Sequence, residues 1–85
     1  ERENSYAWYT LSRAYGEVGM KAEAKYATAE QAYAIGDLAR ASSFAKRAQT
    51  DLERGNPLWR RASDIIVVSD AQLAKKNSRN RGRKP

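Results

Sequence analysis

The stretch Tyr33-Ala-Ile-Gly-Asp-Leu-Ala-Arg-Ala41 leaves this chain few folds to choose from. Gly36 can take the positive φ of a residue just past a helix end without a Cβ penalty. Asp37 then offers a side-chain oxygen to the free amides of a following helix, and its charge suits that helix's positive end. Beyond it, Leu38, Ala41, Ala45, Ala48 and Leu52 recur at spacings of three and four, which is one narrow apolar stripe on a helix. Small residues in that stripe admit a close neighbouring backbone. The stretch therefore predicts a helical hairpin, with the rest of the chain repeating or capping it.

Four helices are expected in all, two of them forming this hairpin. The first is capped by Asn4 or Ser5 and runs to about Val18, with Trp8, Leu11, Tyr15 and Val18 on one face, of which Trp8, Leu11 and Tyr15 are read as core. The second starts after Gly19, a turn glycine like Gly36, and runs to about Ile35. Its alanines (Ala22, Ala24, Ala27, Ala29, Ala32 and Ala34) surround most of its girth, as suits a helix sandwiched between close neighbours. The third spans about Asp37 to Glu53 and ends in Gly55-Asn56-Pro57, which reads as C′ glycine, N-cap asparagine and N1 proline. The fourth buries Leu58, Ala62, Ile65, Ile66, Ser69 and Leu73. Its Ile65-Ile66-Val67-Val68 run has strand propensity, but a lone strand would leave its backbone unsatisfied. Residues 1–4 are expected to fray, residues 5–76 to form the domain, and residues 77–85, which lack apolar side chains, to be disordered.

Composition narrows function by subtraction. The chain of 85 residues has no histidine and no cysteine, which removes the commonest general base, the commonest zinc ligand and any His-Glu-x-x-His helix. Its acids show no paired spacing beside a plausible base, so neither a catalytic nor a metal site is assigned. No apolar run approaches the ~20 residues of a membrane span, and no signal-peptide pattern is read at the start. The first residue is Glu1, and the chain is expected to be a piece of a longer protein. The net charge of +6 is placed unevenly. Residues 1–74 balance ten basic against ten acidic side chains, whereas Lys75, Lys76, Arg79, Arg81, Arg83 and Lys84 have no acid among them.

The turn glycines at 19 and 36 lie 17 residues apart, half the tetratricopeptide period of about 34. Trp8-x-x-Leu11-Ser12-x-x-Tyr15 resembles the opening of that repeat with serine for glycine. Gly36-Asp37-Leu38-x-x-Ala41-x-x-x-Ala45-x-x-Ala48 resembles its second half. The fold class expected is all-α: four antiparallel helices in a short right-handed tetratricopeptide-like α-α superhelix. Residues 4–73 resemble more closely the C-terminal helical region of BepA-like bacterial zinc metallopeptidases. The segments that carry this are Asn-Ser-Tyr-Ala-Trp, Leu-Ser-Arg-Ala-Tyr-Gly, Ala-Glu-Gln-Ala-Tyr-Ala-Ile-Gly-Asp and Gly-Asn-Pro-Leu-Trp-Arg-Arg-Ala-Ser-Asp-Ile. The resemblance implies a non-catalytic module of a periplasmic or cell-envelope protease, with zinc held in the parent's catalytic domain. Its implied partners are proteins or peptides, including substrates or the parent's own catalytic domain.

Mapped by this resemblance, a peptide-binding face comprises Tyr6, Tyr9 and Arg13 on the first helix and Glu23, Tyr26, Glu30 and Tyr33 on the second. Tyrosine offers large amphipathic contact at low entropy cost. For Tyr26 and Tyr33, packing competes evenly with binding, because an alanine-rich face leaves gaps that rings fill. Trp59 is read as stapling the turn at Pro57, and Arg60 and Arg61 as a solvated face. The basic tail has three readings: nucleic-acid binding, anionic-lipid binding, or solubilisation of a chain end. The last is favoured, since no aromatic is interleaved for base stacking. The alternative function is nevertheless a helical module that binds nucleic acid or an anionic surface through this tail.

Overall fold

A computed structural model of the chain describes the backbone of residues 2–82 and the side chains of residues 4–79. It holds four helices, α1 (Arg2–Glu17), α2 (Lys21–Ala34), α3 (Leu38–Asp51) and α4 (Pro57–Gly82). The described residues include no strand, and Ile65 to Val68 lie within α4. The described helices include none long and apolar enough to cross a membrane.

The first two turns are built alike. Gly19 and Gly36 each have φ +82°. The Met20 amide donates to the Tyr15 carbonyl (2.9 Å) and the Gly19 amide to Gly16 (3.2 Å), while the Asp37 amide donates to Ala32 (2.9 Å) and the Gly36 amide to Tyr33 (3.1 Å). Both are the six-to-one and five-to-two pair that satisfies the last carbonyls of a helix. They differ only in what starts the next helix. Asp37 accepts the Arg40 amide at 3.2 Å, whereas Met20 makes no side-chain cap.

The third turn is made differently from the sequence expectation. Gly55 is not in the left-handed region, and α3 stops at Asp51 because Leu52 turns to extended backbone (φ −90°, ψ 145°). Leu52 is buried together with the core alanines. Asn56 caps α4 as expected, accepting the Leu58 amide at 2.8 Å, with Pro57 at its first position.

The core is a seam of alanines. Ala29 and Ala32 of α2, Ala41, Ala45 and Ala48 of α3, and Ala62 of α4 are essentially inaccessible, joined by Tyr26, Leu52 and Ile65. Trp8, Phe44, Leu58, Trp59 and Ile66 pack partly buried around them. With only a methyl between backbones, α2 and α3 sit close, and little volume separates a good fit from a clash. Each helix packs on the next in order, and α2 also touches α4, whereas among the described residues α1 touches α2 alone.

Three expectations need correction here. Leu11 is 37 % exposed and Val18 71 %, so the stripe on the first helix is not a core face along its length. The line of contact passes instead through half-buried Trp8, Ser12 and Tyr15. Ser12 sits at its centre, its hydroxyl 3.2 Å from the Ala24 carbonyl and 2.9 Å from Thr28 Oγ1. Asn4 and Ser5 lie inside α1 rather than capping it, since the helix begins at Arg2. Lastly, α4 continues past Lys76 to Gly82 where disorder was expected. An established helix propagates cheaply, and cations near its C-terminus offset the macrodipole. Glu1 and residues 83–85, to which the fraying and tail expectations also refer, lie outside the described residues.

Candidate interaction surface

Tyr26, Glu30 and Tyr33 occupy one side of α2 at helical spacing, but they do different things. Tyr26 is only 2 % exposed, which removes it from a binding face and makes it core. Its ring meets Trp8 of α1 edge-on, with centroids 5.9 Å apart and planes at 88°. Its hydroxyl donates to Glu30 Oε2. Burial, and then the Glu30 carboxylate, hold the phenol well above its ordinary value, while the Arg61 charge of α4 pulls the other way. Through this bond Tyr26 orients Glu30. Glu23 and Glu30 are half-buried and Tyr33 is 38 % exposed.

Tyr6, Tyr9 and Arg13 come together on α1 alone. The two rings lie 6.4 Å apart, and Arg13 Nη1 donates to the Tyr9 hydroxyl at 3.4 Å. Tyr6 is 70 % exposed. These three, with Thr10, Ala14 and Glu17, line a shallow recess of about 350 Å³. The seven residues expected to share one face therefore divide into two groups. Positions 8, 12 and 15 turn toward α2, and positions 6, 9 and 13 stand roughly a third of a turn away.

The join of α3 to α4 decides what lies beyond. Ser42 Oγ donates to Asp70 Oδ1 at 2.6 Å, and Lys46 pairs with Asp70 Oδ2 at 3.2 Å. These two contacts, the serine first, hold the Asp70 carboxyl below its ordinary value. Gln49 Nε2 donates to the Trp59 carbonyl at 2.9 Å. Held in this way, α4 carries Gln72, Lys75, Lys76 and Arg79 past the start of α3, where they and Leu38 enclose a recess of about 450 Å³. A smaller cleft of about 190 Å³ adjoins it and shares Leu38 and Lys76, with Asp37 and Leu73 in its lining.

Two of these features had weak sequence signals. Arg61 is exposed, as a solvated face requires, yet its charge also reaches the part-buried Tyr26–Glu30 pair, and only its helical register relative to Ile65 hinted at that. The arginines of α3 are engaged by rings, since the guanidinium carbons of Arg40 and Arg47 lie 5.0 and 4.8 Å from the Phe44 centroid. Arg54 lies 5.2 Å from the Trp59 ring. Spacings of four and three around Phe44 contain that arrangement. The zinc implied for a metallopeptidase parent does not fit these residues. The chain has neither His nor Cys, and no three acids converge among the described residues. The chain matches no known family model, no curated protein and no solved structure.

Proposed function

We propose that this chain is a non-catalytic protein- or peptide-interaction module, built as a short right-handed tetratricopeptide-like array of antiparallel helices. Support for the arrangement comes from the two matching glycine turns 17 residues apart. Pairings that run in opposite sense along neighbouring helices add to it: Ser12 with Thr28, Lys25 with Asp51, and Ser42 with Asp70. The observation that carries the function is the contact of α2 with α4 across α3. In tetratricopeptide arrays the first helices of successive pairs meet in this way and line the ligand face. That role falls to α2 and α4, one helix later than the Trp8-x-x-Leu11 pattern would place it, because α2 meets α4 and α1 does not meet α3 among the described residues. The face then combines Glu23, Glu30 and Tyr33 with Arg61, Val68 and Gln72. Tyr33 and Val68 are each 38 % exposed and supply apolar contact between polar groups. The resemblance of residues 4–73 supports a place in the C-terminal part of a larger zinc metallopeptidase, where such a module recruits substrates or regulates the catalytic domain.

The test is a titration of the intact, isotope-labelled chain with short unstructured peptides of acidic, neutral and basic composition, each carrying leucine. Amide resonances of Glu30, Tyr33, Arg61 and Val68 should move with at least one of them. Tyr33→Ala should weaken that binding several-fold and Tyr6→Ala should not. Silence at these amides with every peptide refutes the reading. The second reading, nucleic-acid binding through the basic end, draws on α4 being helical to Gly82. It predicts a salt slope of about 0.7–0.9 per phosphate contacted.

A further inference from the structure

α4 is 26 residues long and α3 is 14, so the last turns of α4 pass the α2–α3 turn. Arg61, Val68, Gln72, Lys75 and Arg79 recur on α4 at spacings of seven, four, three and four, one continuous stripe. The stripe leads from the part-buried Tyr26–Glu30 pair to the recess at Leu38. At that end its chemistry is cationic. Lys75, Lys76 and Arg79 all line the recess, and no acid does. Asp37 faces only the adjoining cleft, and its Oδ1 already accepts the Arg40 amide.

Like Lys21 and Arg60, these three cations have neither an acid nor a ring as partner among the described residues; unlike those two, they lie together in one recess. Lys25 and Lys46 hold acids at 3.0 and 3.2 Å, and Arg40, Arg47 and Arg54 lie over rings. No such contact reaches Lys75, Lys76 or Arg79 from the described residues. The macrodipole of α4 rewards positive charge in its last turn, yet Lys75 and Lys76 lie more than a turn before Gly82. The start of α3 opens beside them at Leu38 and adds its positive end to theirs. Half-buried Leu38 and Leu73 give the joined recess and cleft an apolar component.

We infer that this joined recess binds an acidic stretch of a peptide partner, carboxylates on Lys75, Lys76 and Arg79 and one apolar side chain against Leu38. The inference rests on the peptide-module reading and names its partner's chemistry. A nucleic-acid backbone would use the same charges, but it has no apolar protrusion for Leu38. It would also find no ring to stack a base on, since no aromatic lines either hollow.

The experiment is fluorescence anisotropy of the full chain with three labelled probes. They are a short peptide of alternating glutamate and leucine, the same peptide with lysine for glutamate, and a short DNA duplex. The glutamate peptide should bind about ten-fold tighter than the lysine peptide, the gain expected of a few surface ion pairs. Lys75→Glu/Arg79→Glu should erase that preference. Both positions are exposed, so the variant's circular dichroism should match the parent's. Leu38→Ser should weaken the glutamate peptide without changing its salt dependence. Equal affinity of the double variant for the glutamate peptide overturns the inference. If both peptides then bind through Tyr33, the module reading survives alone. If neither peptide binds, both fall. Duplex binding tighter than peptide binding, salt-steep and lost in the double variant, replaces the acidic peptide with nucleic acid.

Discussion

Replacing Ser69 with alanine should make the protein more stable, and the size of the gain follows from its surroundings. Ser69 lies on the inner side of α4, fully inaccessible, and its Oγ has no hydrogen-bond partner. A hydroxyl taken from water without compensation costs about 1–3 kcal/mol. Alanine removes that cost and adds a few tenths of a kcal/mol in helix propensity, while the small void left by one oxygen offsets part of the gain. The expected net is about 1–2 kcal/mol, or about 4–16 °C in midpoint for a domain of this size. Urea and thermal unfolding followed by far-UV circular dichroism measure it, with an unchanged m-value showing that the folded state is the same. Ser42→Ala is the paired control. Ser42 is also buried, but its Oγ donates to Asp70 at 2.6 Å, so the same chemical change should lower the midpoint. A Ser69→Ala midpoint at or below that of the parent would mean that the hydroxyl is satisfied, and the reasoning fails.

Ala45→Leu should cost about 1–3 kcal/mol through overpacking, because Ala45 is inaccessible in the α2–α3 seam; an unmoved denaturation midpoint would place it on the surface. Asp37→Ala should lose about 1 kcal/mol as the Arg40 amide goes unpaired. Gly36→Val should cost more by the same unfolding assay, since φ is +82° there although a Cβ would meet nothing within 4 Å. Asp70 sets a pH dependence. Its folded-state value is depressed by Ser42 and Lys46, so its contribution is present above the ordinary carboxylate range and is lost as pH falls through the depressed value. Asp70→Asn should flatten the acid limb of stability against pH, and an unchanged limb would assign it to other groups.

What was legible in the sequence was what short-range chemistry decides. Gly36 and Asp37 specify a helix stop and a helix start within two residues, and Ala41, Ala45 and Ala48 can only share a face on a helix. The third turn was misread because Gly55 does not take the left-handed conformation; α3 ends instead where Leu52 turns to extended backbone. Tyr26 and Tyr33 are one residue type seven positions apart, yet one is core and the other half open. The difference comes from Trp8 lying over Tyr26, a partner 18 residues away. The end of α4 was hidden for another reason. Composition without apolar residues reads as disorder, but a helix already nucleated needs no apolar side chain to add a turn.

That α1 touches only α2 among the described residues bears on how the molecule comes apart. A helix with one neighbour can be lost without breaking any contact among the other three, so unfolding has a natural first step. The coupling between units in such a row is nearest-neighbour, and the end unit opens at a lower free energy than the whole. Amides of α1 should therefore exchange with solvent ahead of those in α2 and α3. Opening bares the indole of Trp8 and one edge of Tyr26 together. The pair that closes the core in the resting molecule is then also the first apolar surface offered to a chaperone, a protease or another copy of the chain.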